Sequence, residues 1–410
     1  MTVHVIGAGL AGLAAAVALA ARGVQVEVYE AAAQAGGRCR SYLDPILGLT
    51  IDNGNHLVLS GNHATVAYLG AIGAENRLAG PEETEFPFFD PRTGARWTVR
   101  PNAGPLPWWV LAEDRRVPAA RLLEYLSAFN LMWPRADRRI DAVIACRGPL
   151  WESLLEPFLL AALNTEARAG SAALARAVIG ETLARGGRAY RPRIADPNLS
   201  AAFIDPALAF LGTRGIVVRF GHRLREISFQ AGRAKSLAVA DRRIDLGPDD
   251  AVILAVPPWL AESLVPDLVV PNRFSAIING HFSVVPPVDA PKILGLIGAT
   301  AQWAFAFQDR LSVTVSGADD LVDVEREILA RRLWTDVAAA HGLGTPLPTW
   351  QIVKERRATF AATPEQNARR PKAATRWRNL VLAGDWTATG LPATIEGAIR
   401  SGNTAAAVIR

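Results

Sequence analysis

Val3-His4-Val5-Ile6-Gly7-Ala8-Gly9-Leu10-Ala11-Gly12 is the stretch from which the rest of this chain is read. Residues 3–6 form a short strand-forming run that stops at a Gly-x-Gly-x-x-Gly. An Ala/Leu-rich helical pattern follows to Arg22, Gly23 ends it, and a second strand-like run over 24–29 closes on Glu30. Strand, helix and strand within about 30 residues make a βαβ unit. In such a unit Gly7 permits the tight turn, Gly9 lets backbone approach a pyrophosphate, and Gly12 allows close helix–strand packing. Leu10 and Ala11 open the helix whose N-terminus holds the diphosphate, and Glu30 accepts hydrogen bonds from a ribose 2′-OH. An acid at that place disfavours a 2′-phosphate. The motif therefore predicts NAD or FAD, and not NADP.

The same stretch has a competing reading, because residues 5–21 are an uncharged run of 17. No Lys or Arg precedes it and three glycines interrupt it, so a buried strand and helix is expected in place of a signal or membrane span. A chain of 410 residues is expected to hold two to three domains. With 50% hydrophobic and 20% charged residues, disorder is excluded and a sizeable core is expected. Cys39 and Cys146 cannot make a disulfide framework or a four-thiolate zinc site, which fits a reducing, cytoplasmic setting. The net charge of +5 comes from Arg spread along the chain. With no dense basic tract, nucleic acid is not an expected partner, whereas an anionic membrane surface is compatible.

Helical, Pro-bounded and Leu/Ala/Trp-rich texture over 104–205 separates this unit from later strand-like runs at 216–219, 225–229, 236–240 and 251–256. Residues 276–316 alternate like antiparallel strands, 319–342 read as an amphipathic helix, and 380–383 lead as a strand into a last helix from about Thr394. The expected fold is α/β. A Rossmann-like nucleotide domain is assembled from 1–85, 206–275 and 375–410. An α+β substrate domain, 86–205 and 276–374, is inserted twice, its 104–205 part mainly helical.

Two further motifs narrow the ligand. Gly36-Gly37-Arg38 follows Glu30 by six residues and offers a fork of donors to diphosphate oxygens, a second clamp that a plain NAD unit does not need. Gly54, Asn55 and His56 follow in a loop expected to pass the cofactor, and Leu224 is placed in the same cofactor set. Near the other end, Gly384-Asp385 stops a strand so that the carboxylate can bond a ribityl chain. Ala393, Thr394 and Ile395 then open a helix whose positive end favours negative charge on a flavin pyrimidine ring. Gly402 in that helix suits close packing against the first βαβ unit.

The three motifs together resemble the FAD-binding pattern of the phytoene desaturase and amine oxidase superfamily. Within it, Asp52-Asn53-Gly54-Asn55-His56-Leu57, Ala161-Ala162-Leu163-Asn164-Thr165, Ala301-Gln302-Trp303 and the segment from Gly384 to Gly397 resemble the squalene-associated FAD-dependent desaturases, over essentially the whole chain. The resemblance implies bound FAD and reductive loss of water from hydroxysqualene to give squalene, in hopanoid synthesis. Such chemistry needs a proton donor at the allylic hydroxyl and a dry pocket that holds the carbon near flavin N5.

His56 is the expected proton donor. Trp303, Phe305 and Phe307 alternate along a strand and are expected to line the pocket with Asn164. Phe86, Phe88, Trp108, Trp109, Phe129, Trp133, Trp151 and Phe158 supply further aromatic surface. Lys292 is a weaker candidate for holding a water near N5. No metal is called for. A C30 isoprenoid is best taken directly from a bilayer, and Trp108, Trp109, Leu122, Leu123, Phe129 and Trp133 beside Arg115, Arg116 and Arg121 suit a peripheral membrane surface at its cytoplasmic face. With no second Gly-x-Gly-x-x-Gly, electrons must come from a donor outside the chain. Polyene desaturation, amine oxidation and a non-catalytic prenyl-lipid carrier remain alternatives at this point.

Overall fold

The computed structural model describes residues 1–133 and 137–409. Thr2–Ile6 is the central strand of a five-stranded parallel sheet whose order is Val218–Arg219, Gln25–Tyr29, Thr2–Ile6, Ala251–Leu254, Leu380–Leu382. Segments far apart in sequence therefore meet side by side. Ala251–Leu254 is buried at every position, as a parallel strand covered on both faces must be. The uncharged N-terminal run is this strand plus the helix Leu10–Ala21, and no described helix is long and apolar enough to cross a membrane.

Helix Leu10–Ala21 begins at Gly9 without a side-chain cap and stops at Gly23, whose φ of +73° suits a residue without Cβ. The C-terminal helix Ile395–Val408 lies against it. A Cβ on Gly402 would come within 2.2 Å of the Ala11 carbonyl oxygen, so the two helices touch through this glycine.

The second sheet has seven strands, in the order Trp350–Phe360, Phe274–Ser283, Arg310–Ser316, Trp303–Ala306, Ile293–Leu296, Phe86–Asp90, Ala95–Val99. One face carries Ile278, Phe282, Leu294, Leu296, Val313 and Val315 against Leu329, Leu333, Trp334 and Val337 of helix Arg326–His341. Strand alternation turns Asn279, His281, Trp303, Phe305, Ser312 and Thr314 to the other face. A three-stranded meander, Leu224–Gln230, Arg233–Val239 and Arg242–Asp245, lies in sequence between the nucleotide-sheet strands Val218–Arg219 and Ala251–Leu254.

Several expectations change. The turn-rich region after Gly36 contains a helix, His63–Ala71, because Thr65, Tyr68 and Leu69 bury against neighbouring elements. The amphipathic helix expected from 319 starts only at Arg326, and the strand expected over 216–219 is only Val218–Arg219. A domain break after 205 falls inside a continuous helical run, Ser200–Ile204 and Asp205–Gly212. Leu199, Ala202, Phe203 and Ile204 pack into the same core as helix Leu10–Ala21.

Candidate active site

Gly7, with φ of +104°, turns the chain so tightly that a Cβ would lie 2.4 Å from the Ala255 carbonyl oxygen. A Cβ on Gly12 would lie 1.9 Å from the Gly7 oxygen. Gly9 differs from both. A Cβ there would meet nothing within 4 Å, and the N–H groups of Leu10, Ala11 and Gly12 have no partner inside the helix by its geometry. Open space at a free helix N-terminus fits a pyrophosphate. Glu30 accepts from the Ala8 N–H at 2.7 Å and the Ala32 N–H at 2.8 Å, and each oxygen keeps a lone pair for a ribose hydroxyl. The Glu30 carbonyl accepts from the His222 N–H at 2.8 Å, which brings the chain leading into Leu224 beside the ribose position.

Gly36 bonds its N–H to the Ala8 carbonyl at 2.8 Å, and Gly37 brings its backbone up to Gly9. This fold-back delivers Arg38 to the opposite end of the chain. Arg38 pairs with Asp385 at 2.7 Å and donates to the Ala358 carbonyl. Burial opposes its charge, but Asp385 overrides that and raises its pKa. The Arg38 side chain is nonetheless 43% exposed. A guanidinium ringed by protein that still meets open space lines a cleft.

Asp385 is buried, and Gly384 before it adopts φ of +148°, where a side chain would run into the Trp386 indole. Arg370, absent from the sequence reading, holds this turn by donating to the carbonyls of Asp385 and Thr387. Burial lowers its pKa to about 10, so it stays charged at neutral pH. Nothing in the local sequence marks it, since Arg is common throughout. Thr394 caps helix Ile395–Val408 by accepting from the Gly397 N–H at 3.0 Å, and Ala393 before it is partly buried against the core. Glu396 points away, to the N–H groups of Ala64 and Thr65 at 3.0 and 2.8 Å, and ties down helix His63–Ala71.

Gly54, Asn55 and His56 lie between the two sheets. A Cβ on Gly54 would come within 3.1 Å of the Asn279 amide nitrogen. The Asn55 N–H donates to Asn279 Oδ1 at 3.2 Å, and Asn55 Nδ2 donates to Thr314 Oγ1 at 3.1 Å and the Val313 carbonyl at 3.3 Å. Asn55 thus anchors on the second sheet. His56 faces Arg38 and Asp385, and burial, assisted by Arg38, lowers its pKa to about 4. The ring is therefore neutral at pH 7. Glu355, half-buried on the strand Trp350–Phe360, is a further carboxylate within the field of Arg38 that the sequence reading passed over.

Trp303 and Phe305 are 7% and 4% exposed on the sheet face away from helix Arg326–His341, and Phe307 follows just past the strand. Phe88 meets Trp303 edge-on, with ring centroids 5.8 Å apart. Asn164 is different. Its Nδ2 donates to Thr359 Oγ1 and the Ser275 carbonyl, and its Oδ1 accepts from the Gly317 N–H at 2.7 Å. All its polar capacity joins the helix Glu156–Leu163 to the sheet, so it is a strut and not pocket lining. Lys292 is exposed, and Lys354, the lysine within the seven-stranded sheet, donates to the carbonyls of Val322 and Val324 on the opposite side. Trp108, Phe129 and Trp133 are surface residues, 53%, 45% and 75% exposed, and leave the pocket list. A separate cavity of about 350 Å³, lined by Glu124, Ile144, Arg147, Leu150 and Trp151, shares no residue with the flavin motifs.

Residues 10–410 match the family of flavin containing amine oxidoreductases. The chain belongs to that family. Hydroxysqualene dehydroxylase of Rhodopseudomonas palustris is 53% identical over 409 residues, covering 100% of this chain and 98% of that protein. The protein of the same name from Zymomonas mobilis is 50% identical over 98% of this chain and 97% of its own length. In structure, cyclohexylamine oxidase from Brevibacterium oxydans superposes with a TM-score of 0.74 at 14% identity, over 100% of this chain and 98% of that one. Putrescine oxidase bound to putrescine does so with 0.71 at 18%, over 99% and 98%. At such identities these two show the fold alone. This flavin oxidoreductase binds FAD, and the open cradle at Gly9 with the Glu30, Arg38 and Asp385 set fits that cofactor.

Proposed function

We propose that this flavin oxidoreductase converts hydroxysqualene to squalene, supplying hopanoid synthesis. The observation that carries the reading is half-or-better identity along the full length to proteins named for that reaction, supported by a Gly9 cradle and a Glu30, Arg38 and Asp385 set that fit FAD. Reduced FAD supplies the hydride that replaces the hydroxyl. The chain's own residues bind and orient. Leu10, Ala11 and Gly12 N–H groups and Arg38 hold the diphosphate, Glu30 the ribose, Asp385 the ribityl chain, and the end of helix Ile395–Val408 the pyrimidine edge. Trp303, Phe305 and Phe307 form a wall that excludes water from an allylic cation and offers it aromatic faces. Alcohol, hydride and one proton give hydrocarbon and water, and His56, neutral at pH 7, passes that proton on: its ring N–H protonates the leaving oxygen while the other ring nitrogen takes up a proton from solvent. Anaerobic reaction of photoreduced holoenzyme with hydroxysqualene tests this. Stoichiometric squalene with flavin reoxidation is expected, and a flavin that stays reduced would overturn it.

The enzyme works at the cytoplasmic face of a membrane, from which it draws its substrate. Leu106, Trp108, Leu111, Leu122, Leu123, Leu126, Phe129 and Trp133 are all 41–77% exposed and fall within 28 consecutive residues. Their neighbours Trp109 and Tyr125 bury against each other edge-on, so the segment is folded with its apolar side outward. Arg115 stacks over Trp108 at 5.0 Å, placing a cation at the rim where lipid phosphates lie. A C30 chain gains little from passing through water, since each buried CH₂ is worth about 0.8 kcal/mol.

A further inference from the structure

We propose that Asn55 and Trp303 form the subsite that takes the hydroxyl group of the alcohol substrate, Asn55 Oδ1 accepting its hydrogen and Trp303 Nε1 donating to its oxygen. The proposal rests on the hydroxysqualene reading and deepens it. A pocket built only of Trp and Phe would bind the hydrocarbon product as well as the alcohol. Discrimination needs a polar pair that only the alcohol satisfies.

Asn55 Oδ1 is buried, and no polar group of the protein meets it. Its orientation is fixed by the opposite end of the amide. Nδ2 faces the Val313 carbonyl and Thr314 Oγ1, and Thr314 Oγ1 spends its own hydrogen on Asn279 Oδ1 at 2.8 Å. With acceptors on that side, the oxygen must point the other way. Trp303 Nε1 is the complementary case, a buried donor without a protein acceptor. The indole alone would carry nothing, because Trp97, Trp151, Trp334 and Trp377 also have unpartnered N–H groups. What sets Trp303 apart is its register. It is directly opposite Thr314, the residue to which Asn55 is bonded, and cross-strand partners share a face. An orphaned acceptor on Asn55, the residue before His56, thus faces the side of the sheet that carries an orphaned donor on Trp303, beside Phe88 and Phe305. A hydroxyl donates and accepts at once, so an alcohol satisfies both unmet buried atoms and a hydrocarbon satisfies neither.

Trp303→Phe keeps the ring and removes only the donor. Asn55→Leu keeps volume and removes the acceptor. Oxidised holoenzyme of each is titrated with hydroxysqualene and with squalene, following the flavin absorbance, and FAD content is measured alongside. The wild type is expected to bind the alcohol more tightly than the hydrocarbon, and Trp303→Phe to reduce that preference about 5-fold with squalene affinity unchanged. Asn55→Leu is expected to reduce the preference similarly while retaining FAD. Wild-type turnover of hydroxysqualene with an unaltered preference in both variants would overturn the subsite alone. Loss of FAD from Asn55→Leu, with Trp303→Phe unchanged, would reassign Asn55 to the cofactor and overturn it too. A wild type that neither binds nor turns over hydroxysqualene would remove both the subsite and the reading beneath it.

Discussion

Gly9 leaves space beside a helix N-terminus that no protein atom fills, and its own backbone, at φ −69°, is one that any residue adopts. Gly9→Val is therefore expected to fold normally and to lose FAD, checked by the flavin-to-protein absorbance ratio after gel filtration. Full yellow colour would show that the pyrophosphate lies elsewhere. Glu30 does two jobs, since its carboxylate also ties the Ala8 and Ala32 N–H groups. Glu30→Ala is expected to lose FAD and in addition about 1–2 kcal/mol of apoprotein stability, read by denaturant melts. At this scale the sequence was legible wherever a glycine or an acid is dictated by backbone geometry. It was silent on Arg370 and Glu355, and it misplaced Asn164, because a side chain's hydrogen-bond partners come from other segments.

Between elements, the contact of helices Leu10–Ala21 and Ile395–Val408 passes through Gly402. Gly402→Val would push a side chain onto the Ala11 carbonyl and the Ala14 side chain, and the buried packing leaves it nowhere to go. A loss of roughly 2–3 kcal/mol is expected, with weaker FAD retention because the same helix start faces the flavin. Unchanged melting would show that the helices slide apart freely. The segment around helix Leu122–Ala128 gives the opposite case, an element whose outer residues Leu123 and Leu126 are 74% and 62% exposed. Leu123→Glu with Leu126→Glu is expected to leave melting within about 0.5 kcal/mol of wild type and to abolish sedimentation with anionic vesicles. Wild-type sedimentation by this variant would discard the membrane surface.

Across the whole molecule, four rings share one bias. Burial is the largest cause lowering the pKa of His4, His56, His281 and His341, to about 4, 3 and 4 in the last three. A ring kept neutral in the folded state and free to protonate when unfolded contributes stability fully present above about pH 6.5. That stability is lost as pH falls toward 4, by at most about 1.4 kcal/mol per ring per pH unit. His281 is fully buried, its Nδ1 2.8 Å from Ser312 Oγ. His281→Asn should therefore flatten the decline in melting temperature between pH 6.5 and 4.5, whatever it does at pH 7.5. An equally steep decline would place the acid sensitivity in the carboxylates.

The sequence by itself determined the nucleotide unit. Turn, helix start and ribose acid lie within one 30-residue segment, where local backbone rules leave few choices. It also determined the aromatic alternation at Trp303 and Phe305, because strand period is local. Only the tertiary structure decided that Arg38 meets Asp385 across 347 positions, that His56 near the pair is neutral, and which Trp residues are wall and which are surface. Those outcomes depend on burial and on charges brought together by folding. Neither quantity is carried by any window of sequence.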